Sequence, residues 1–594
     1  MSNKTSNAQV IGVFPDKVRI SVDDIAEFTN GESIKVGSYI RITDNEDCVL
    51  IAAIENFSIE STDNGHPKYL IEAFPLGVID DGKFIRGGDA LTIPPTGVAP
   101  ATEEDIRKVF EDSVEKNVNF SFSKLLSNQD ITVPVNGNKF FNKHIAIVGS
   151  TGSGKSHTIS KILQNAISSK DIKSGEDGFE LNNSHTVIFD IHSEYRTAFP
   201  NANVLDVSNI KLPYWLLNSD ELEEILLDTG ERDNYNQSAI FRHLVTENKK
   251  KHNSGKEKVF YDSPLKFSIE EVLNAIYNIK SETVNYKNES RYMIVDDSYE
   301  VAKDGKTKEA DGLLLNEAER LDKYFSSRYK FHQPKGSNIS KGSYADGSLN
   351  KFFSRFESKI AQERLSFIFN KDNMELTLER VLASLIGYGE NKSNVTIVDL
   401  SGVPFEVLSI TVSLISRLLF EYGYYYKVLR EGKGEIHNND APLLLVYEEA
   451  HKYVPRSDLS KFRASKTSIE RIAKEGRKYG VTLLLSSQRP AEISETIFAQ
   501  CSNFLAMRLT NPNDQNYVSR LLPDTLGKLK DKLPNLGAGE ALLIGESVVI
   551  PSLVRVDRCE ENEPSSNDIP YFELWKEKWK DIDFVEIENQ WLGD

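Results

Sequence analysis

Residues 144–160 constrain the fold of this chain more than any other stretch. They begin with the apolar run IAIV (residues 145–148), which is typical of a buried strand, and apolar residues recur at helical spacing after Ser156. Between the two lies GSTGSGKS (residues 149–156), which fits the pattern G-x-x-x-x-G-K-[ST] without a mismatch. A strand that passes through such a loop into a helix predicts a phosphate-binding site in an α/β fold.

Each part of this loop has a physical task in binding a nucleotide. The glycines permit backbone angles that other residues avoid, so several N–H groups can point at phosphate oxygens, and the following helix adds the positive end of its dipole. We expect Lys155 to reach the β and γ phosphates of ATP, and the Ser156 hydroxyl to bind the Mg²⁺ that bridges them. The predicted nucleotide-binding residues are Gly149, Ser150, Thr151, Gly152, Ser153, Gly154, Lys155, Ser156 and His157.

Length and composition limit the class of protein. The chain has 594 residues, no long uncharged apolar run and no apolar centre of a secretion signal at its N-terminus, which predicts several domains and no membrane segment. The three cysteines lack metal-ligand spacing, as in reduced thiols of a cytoplasmic protein. A net charge of -18 argues against a protein that coats nucleic acid with its whole surface, but it allows a basic groove or pore inside an acidic shell.

Periodicity divides the chain into five predicted parts. Residues 1–95 hold short alternating runs separated by turns such as Asn30-Gly31 and Asp81-Gly82, which predicts a small β-barrel, and the Pro/Gly-rich residues 94–100 resemble a linker. Residues 96–211 and 391–558 carry near-continuous apolar strands between helices, as in a parallel or mixed sheet covered on both faces. Residues 212–390 indicate a mostly helical insertion. Residues 559–594 hold three of the four tryptophans, which predicts a tail docked on its own core or on a neighbouring subunit.

A second chemical signal follows the apolar strand of LLLVYEEAH (residues 443–451). Two carboxylates stand where the strand ends, at the sheet edge where ligands of α/β folds bind. Glu448 has the position of the acid that holds the Mg²⁺ shell, usually Asp, and Glu449 that of the carboxylate that orients and activates water. An isolated Glu-Glu pair would as easily be a solvated turn, but its place downstream of a phosphate loop favours catalysis.

Further polar residues complete the predicted site. Gln488, after the strand at residues 481–487, is a candidate contact for the γ-phosphate or the water, with a turn-capping glutamine as the alternative. The stretch at residues 456–479 is basic, as in a DNA-contacting surface, a solvated helix face or the source of an arginine finger, for which Arg477 is the first choice and Arg508 the second. Residues 190–194 include Asp190, His192 and Glu194, which predict a polar border of the nucleotide pocket rather than a metal site.

Taken together, these motifs resemble the HerA family of hexameric ATPases, relatives of the FtsK DNA translocases. The resemblance covers nearly the whole chain and rests on HIAIVGSTGSGKS, FDIHSEY, LPYWLLN, TIVDLSGVP, LLLVYEEAH, EGRKYGV and SSQRP, in that order. It implies a RecA-like P-loop core behind a HerA-type barrel, a hexameric ring with ATP between subunits, and duplex DNA moved through the pore. By motif position it implies that Lys155 and Ser156 bind nucleotide and Mg²⁺, that Glu449 is catalytic and Gln488 a sensor, and that Arg477 acts in trans.

Members of that family work with an effector encoded beside them. The resemblance implies a nuclease or a sirtuin-like NADase as partner, bound through the N-terminal barrel, in DNA end processing or bacterial anti-phage defence. The leading hypothesis is therefore an ATP-driven translocase or helicase for double-stranded DNA. The alternative is an ATP-regulated scaffold that activates an effector with little DNA movement, which the acidic net charge favours. An export motor is a third possibility, against which the missing membrane segment argues.

Overall fold

A computed structural model describes residues 7–14, 17–29, 34–45, 48–61, 67–87, 97–169, 181–226, 234–295, 312–334, 338–370, 373, 375–389, 392–435, 439–457, 463–521, 524–565 and 569–592. Within these ranges, no helix combines the length and the apolar character that a bilayer crossing requires.

The N-terminal part is one curled antiparallel sheet. Its elements are β1 (Ala8–Val13), β2 (Val18–Val22), α1 (Ile25–Thr29), β3 (Tyr39–Asn45), β4 (Cys48–Ser61), β5 (Pro67–Asp80), β6 (Lys83–Arg86) and β7 (Gly97–Pro100). The strand order is β1-β2-β5-β4-β3-β7, with β6 beside β5. Register shifts in the long β4–β5 pair bend the sheet until β1 lies beside β7, around an apolar core that includes Ile20, Ile40 and Ile71. The predicted small β-barrel is confirmed.

The predicted linker is partly wrong. Gly97–Pro100 form β7, which pairs with β3 at the end of the strand order, while residues 94–96 lie outside the described ranges. Proline lacks an N–H but is tolerated on an edge strand, which is why this Pro-rich run can join the sheet. Asp81 and Gly82 both have positive φ and form the predicted turn between β5 and β6, whereas Asn30-Gly31 also lies outside the described ranges.

The first part of the core follows. Its elements are α2 (Glu103–Phe110), β8 (Asn119–Phe120), β9 (Ser123–Leu125), β10 (Asn128–Thr132), β11 (Val135–Asn136), α3 (Gly137–Phe141), β12 (His144–Val148), α4 (Lys155–Ser168), β13 (His185–Asp190) and β14 (Asn203–Leu205). The strand and helix predicted on either side of the glycine loop are β12 and α4.

The insertion is mostly helical, as predicted, but it also carries a small sheet. Its elements are α5 (Ser219–Leu226), α6 (Asn234–His252), α7 (Ile269–Ser281), β15 (Thr283–Asn285), β16 (Asn288–Tyr292), β17 (Leu313–Leu314), α8 (Glu317–Ser326), β18 (Ile339–Lys341), α9 (Asn350–Ile360), α10 (Ser366–Phe369) and α11 (Leu378–Ile386). The sheet has the order β17-β16-β15-β18. Strands of two to five residues are too short to leave a periodic signal in the sequence.

The core resumes after the insertion and ends in a helical tail. Its elements are β19 (Val395–Asp399), α12 (Phe405–Gly432), β20 (Leu443–Tyr447), α13 (Arg463–Glu475), β21 (Val481–Ser487), α14 (Glu495–Phe498), β22 (Cys501–Met507), α15 (Pro512–Leu521), β23 (Glu540–Gly545), β24 (Ser552–Val556), α16 (Tyr571–Leu574) and α17 (Phe584–Leu592).

The two core parts share one sheet of 11 strands, in the order β10-β9-β24-β23-β22-β12-β21-β20-β13-β19-β14. The strands from β22 to β14 are parallel, and those from β23 to β10 are antiparallel. Alternate residues of β12 enter two different apolar cores, so helices cover both faces. This is a RecA-like P-loop core, and the carboxyl ends of β12, β13, β20 and β21 meet at one edge of it.

Candidate nucleotide-binding site

The glycine loop between β12 and α4 is tightly packed. Gly154 (φ +98°) precedes the helix, and Gly152 (φ +71°) lies in the loop. Both have positive backbone φ angles, which residues with a side chain rarely adopt. A Cβ at Gly149 would stand 2.5 Å from Ser153 Oγ and 2.9 Å from Met507 Cβ. The loop therefore requires glycine at these positions, and neighbouring strand ends hold its start, because Gly149 N donates to Ser487 O at 3.2 Å and Ser150 N to Arg508 O at 2.8 Å.

Lys155 is folded back into this loop. Its side chain is buried, and Nζ donates to the carbonyl oxygens of Gly149 at 3.0 Å and Ser150 at 3.4 Å. Burial lowers the pKa of Lys155, and the nearby carboxylate of Glu449 opposes that shift. An anion that enters the loop can replace these carbonyl partners, because an ammonium group binds phosphate oxygens more strongly than neutral carbonyls.

The Ser156 hydroxyl donates to Glu194 Oε2 at 2.7 Å. Glu194 lies in the turn after β13, and Asp190 fixes this turn because its carboxylate accepts the backbone N–H groups of His192, Glu194 and Tyr195. His157, also a predicted nucleotide contact, is exposed on the first turn of α4.

Glu448 and Asp190 form a buried pair of carboxyl groups. Burial and the charges of Asp190 and Glu194 raise the pKa of Glu448 to about 9, so Glu448 is protonated at neutral pH. Among the described residues, Glu448 Oε2 is buried and has no hydrogen-bond partner. Carboxylate and hydroxyl oxygens are ligands that Mg²⁺ prefers, and a divalent cation would displace this proton, so Ser156 and Glu448 fit such an ion.

Asp190, His192 and Glu194 lie in the turn after β13, beside Ser156 of the glycine loop. Asp190 is already occupied by backbone N–H groups, and the described part of the chain contains no group of three or more His, Cys, Asp or Glu side chains that could hold a metal ion. Mg²⁺ in nucleotide sites usually has one or two protein ligands, and phosphate oxygens and water molecules complete its coordination.

Glu449 lies beside this pair in a constrained position. Its backbone is left-handed (φ 47°, ψ 48°), which is unusual for a residue with a side chain. Its carboxylate accepts a hydrogen bond from Gln488 Nε2 and a longer one, at 3.5 Å, from Gln488 N. Gln488 Oε1 in turn accepts from Thr151 Oγ1, so one amide side chain joins the glycine loop to Glu449. A carboxylate held in this way can orient a water molecule near the phosphates.

His451 is a neighbour of Glu449 that the sequence analysis missed. Its Nδ1 lies 3.2 Å from Glu449 Oε2 and 3.1 Å from Ser487 Oγ. Burial lowers the pKa of His451, and the Glu449 carboxylate opposes that shift. The sequence places His451 two positions after Glu449, but the left-handed turn at Glu449 that brings the two side chains together is seen only in the structure.

The two candidate arginines lie at different edges of the sheet. Arg477 lies in the short 3-10 helix Gly476–Tyr479 just before β21, so it is exposed at the amino edge, away from the glycine loop of its own chain. Arg508 follows β22: its main-chain oxygen accepts from Ser150 N at 2.8 Å, and its Nη2 lies 3.5 Å from Gly152 O. Arg508 therefore lies against the glycine loop of its own chain.

Comparison with known families now adds to this geometry. The model of the family "Helicase HerA, central domain" matches residues 120–419, half of the chain, including the glycine loop. The chain belongs to the HerA helicase family. It is accordingly an ATPase of the helicase type, as predicted.

Relatives extend the match to the full chain. A probable helicase of Methanocaldococcus jannaschii is 24% identical over 99% of this chain and 99% of its own length. A protein of Sulfolobus acidocaldarius named DNA double-strand break repair helicase HerA is 25% identical over 84% of this chain and 79% of its own length. Among solved structures, VirB4 of Thermoanaerobacter pseudethanolicus matches with a TM-score of 0.42 and 12% identity, over 75% of this chain and 98% of that one.

Proposed function

We propose that this chain is an ATP-driven motor for double-stranded DNA that works as a hexameric ring. The observation that carries the proposal is the convergence of two elements at one sheet edge: the loop with Lys155 and Ser156, and the strand end with Glu448 and Glu449. The glycine loop can bind a nucleoside triphosphate, and the strand end supplies the carboxyl groups that hydrolysis requires.

In this proposal the side chains divide the work. Lys155 exchanges its carbonyl partners for phosphate oxygens, and Ser156 and Glu448 hold Mg²⁺, which neutralises charge on the phosphates when bound. Glu449 orients the attacking water and accepts its proton. Gln488 contacts both the loop and Glu449, so it can respond to whether the γ-phosphate is present.

A ring explains the position of Arg477. This side chain lies at the sheet edge opposite the glycine loop, so it cannot stabilise phosphate charge within its own chain. In a ring that places the amino edge of one subunit against the carboxyl edge of the next, Arg477 completes the neighbour's site, a contribution that can be worth a factor of about 10³–10⁵ in rate. ATP then lies between subunits.

Double-stranded DNA is the substrate that we propose this motor moves. Relatives of this chain are named DNA double-strand break repair helicases, and α13 with the turn after it adds a basic surface to an acidic chain. We further propose a co-encoded effector, a nuclease or a sirtuin-like NADase, bound by the N-terminal barrel and serving DNA end processing or anti-phage defence.

The experiment is ATP turnover by the purified protein with and without linear duplex DNA, next to the isosteric variant Glu449→Gln. We expect stimulation by DNA, and a loss of turnover of about 10²–10⁴-fold in the variant because a general base is removed. Turnover that survives Glu449→Gln would refute the assignment of Glu449.

A scaffold is the second candidate, favoured by the net charge of -18. Turnover that ignores DNA but responds to the effector would select it. Salt provides a further criterion, because the affinity of a motor for duplex DNA falls steeply as salt rises.

A further inference from the structure

Two sequence motifs end at neighbouring strands of the core sheet. FDIHSEY (residues 189–195) runs from the end of β13 into the turn of Glu194, and TIVDLSGVP (residues 396–404) runs from β19 into the loop before α12. The two strands are parallel and in register, so that Asp190 pairs with Asp399. Each motif thus places one buried aspartate at the carboxyl edge of the sheet, close to the glycine loop.

Both carboxylate oxygens of Asp399 accept hydrogen bonds. Oδ2 accepts from Ser193 Oγ at 2.5 Å and from Arg196 Nη2 at 2.9 Å. Oδ1 accepts from Ser401 N at 3.0 Å. Ser193 and Arg196 enclose Glu194 in the sequence, so Asp399 holds the turn of Glu194 from both sides.

Ser193 has an unfavourable backbone conformation. Its φ of 59° lies in the left-handed region, which residues with a side chain adopt at a cost. Of the three non-glycine residues with positive φ in the described ranges, two, Ser193 and Glu449, lie at the nucleotide-binding edge. Such a conformation persists where the surroundings over-determine it. Here Asp399 binds the hydroxyl of Ser193, and the carbonyl of Glu194 accepts from Ser565 N at 2.9 Å, so two other parts of the chain hold the turn.

The turn determines where the Glu194 carboxylate lies. Glu194 Oε2 accepts from Ser156 Oγ at 2.7 Å. A hydroxyl group has one hydrogen and two lone pairs, so a hydrogen held by Glu194 leaves the lone pairs of Ser156 free to bind a cation. Partners of this kind orient metal ligands, and their removal usually lowers metal affinity about 10- to 100-fold.

We propose that Asp399 is a positioning residue of the nucleotide site. Through Ser193 it fixes the turn that brings Glu194 onto Ser156, and it thereby sets the affinity of the site for Mg²⁺ bound together with nucleotide. This inference rests on the proposed function, which assigns Ser156 to Mg²⁺. Asp399 acts through two other residues, so the role does not require contact with the nucleotide.

The test measures binding of a fluorescent, non-hydrolysable ATP analogue in EDTA and at rising Mg²⁺ concentrations, so the readout is independent of turnover. We expect the Mg²⁺ concentration that gives half of the Mg²⁺-dependent gain in affinity to rise about 10-fold or more in Glu194→Ala and in Asp399→Ala. Affinity in EDTA should stay within about threefold of the wild type, because Lys155 and the backbone N–H groups of the loop, which bind phosphate, are untouched.

Arg196→Gln is the matched control. It removes the other side chain that binds Asp399 Oδ2, from a position where that side chain is 44% exposed, and it leaves the bond to Ser193. We expect its Mg²⁺ dependence to equal that of the wild type, whereas a merely structural role of Asp399 predicts similar losses in Arg196→Gln and Asp399→Ala. Asp399→Asn keeps an oxygen that can accept from Ser193, so it should lie between the wild type and Asp399→Ala. Thermal unfolding shows that each variant is folded.

Ser193→Gly isolates the effect of the backbone. Glycine adopts positive φ without strain, so it does not need the hydrogen bond to Asp399. In Asp399→Ala chains, Ser193→Gly should restore most of the lost Mg²⁺ affinity, and Ser193→Ala should restore none. The same two changes in the wild-type background leave the buried Asp399 in place: Ser193→Ala should raise the Mg²⁺ requirement, and Ser193→Gly should leave it near the wild-type value.

Equal losses of Mg²⁺ affinity in Arg196→Gln and Asp399→Ala, or equal behaviour of Ser193→Gly and Ser193→Ala, would overturn the positioning role of Asp399 while leaving the motor intact. Glu194→Ala with the Mg²⁺ dependence of the wild type would also overturn it, because Glu194 is the residue that reaches Ser156. A wild-type chain whose affinity for the analogue ignores Mg²⁺ would instead contradict the assignment of Ser156, and with it the proposed function.

Discussion

The amide of Gln488 joins the glycine loop to Glu449, and its removal has a calculable effect. Gln488→Ala deletes one hydrogen bond to an ionised carboxylate, worth about 1.5–3 kcal/mol, and one to the neutral Thr151 hydroxyl, worth about 0.5–1.5 kcal/mol. If the first bond holds Glu449 in its position toward water, its loss lowers kcat by about 10- to 160-fold. Nucleotide affinity should change less than about threefold, because Lys155 and the backbone of the loop are untouched.

The assay is steady-state phosphate release together with titration of a fluorescent ATP analogue. Thr151→Val is the matched variant, because it removes only the neutral bond and should cost about 2- to 12-fold. The double variant should be no slower than Gln488→Ala alone, since both changes break the same chain of bonds. A Gln488→Ala protein with kcat within twofold of wild type, or losses that simply multiply in the double variant, would refute the linkage.

Three further predictions concern single side chains. His451→Ala should lower kcat about fivefold to tenfold and shift its pH profile at unchanged nucleotide affinity, and His451→Asn should recover part of the loss, since a donor to Glu449 returns. Glu448→Gln should leave the thermal midpoint at pH 7 almost unchanged, because this carboxyl group is already protonated, yet raise the Mg²⁺ needed for half-maximal turnover about tenfold or more. Burial lowers the pKa of His144 to about 4, so the contribution of this residue to the free energy of unfolding is fully present above about pH 6.5 and falls by up to about 3 kcal/mol toward pH 4. Urea midpoints should show this slope, and His144→Gln should flatten it.

The parts of the site that the sequence predicts well are local in the chain. The glycine loop is recognisable because its strand, loop and helix are consecutive, and Glu448 and Glu449 because they end an apolar strand. Contacts between distant residues leave no such signal. Thr151 and Gln488 are separated by 337 positions, and they meet only because β12 and β21 are adjacent and parallel.

The fold shows the same limit. Long apolar strands and amphipathic helices predicted the sheet and the helical insertion, whereas β7 and the sheet of β15 to β18 were missed because a run of two to five residues has no measurable period. The tail predicted to dock divides into two parts: Asn562, Glu563 and Ser565 are hydrogen-bonded to their own core, whereas the described residues 569–592 are exposed throughout. Hydrophobicity alone does not indicate where one part ends and the other begins.

Arg477 shows this limit of sequence-based prediction most directly, because the sequence of one chain does not show whether Arg477 completes the nucleotide site of a neighbouring subunit. The geometry separates the two candidates: Arg508 contacts its own loop, and Arg477 lies at the far edge of the sheet. Lys155→Ala copies retain Arg477, and Arg477→Ala copies retain the loop, so an equal mixture in a closed ring should restore about a quarter of wild-type turnover, one junction in four being complete.

Arg508→Ala copies that are inactive by themselves should stay inactive in the same mixture, because Arg508 lies against the loop of its own chain and Lys155→Ala copies cannot supply it there. Recovery with Arg508→Ala and none with Arg477→Ala would reverse the two roles. Recovery with neither would mean that each site is completed within one chain, and the position of Arg477 would then no longer support a ring.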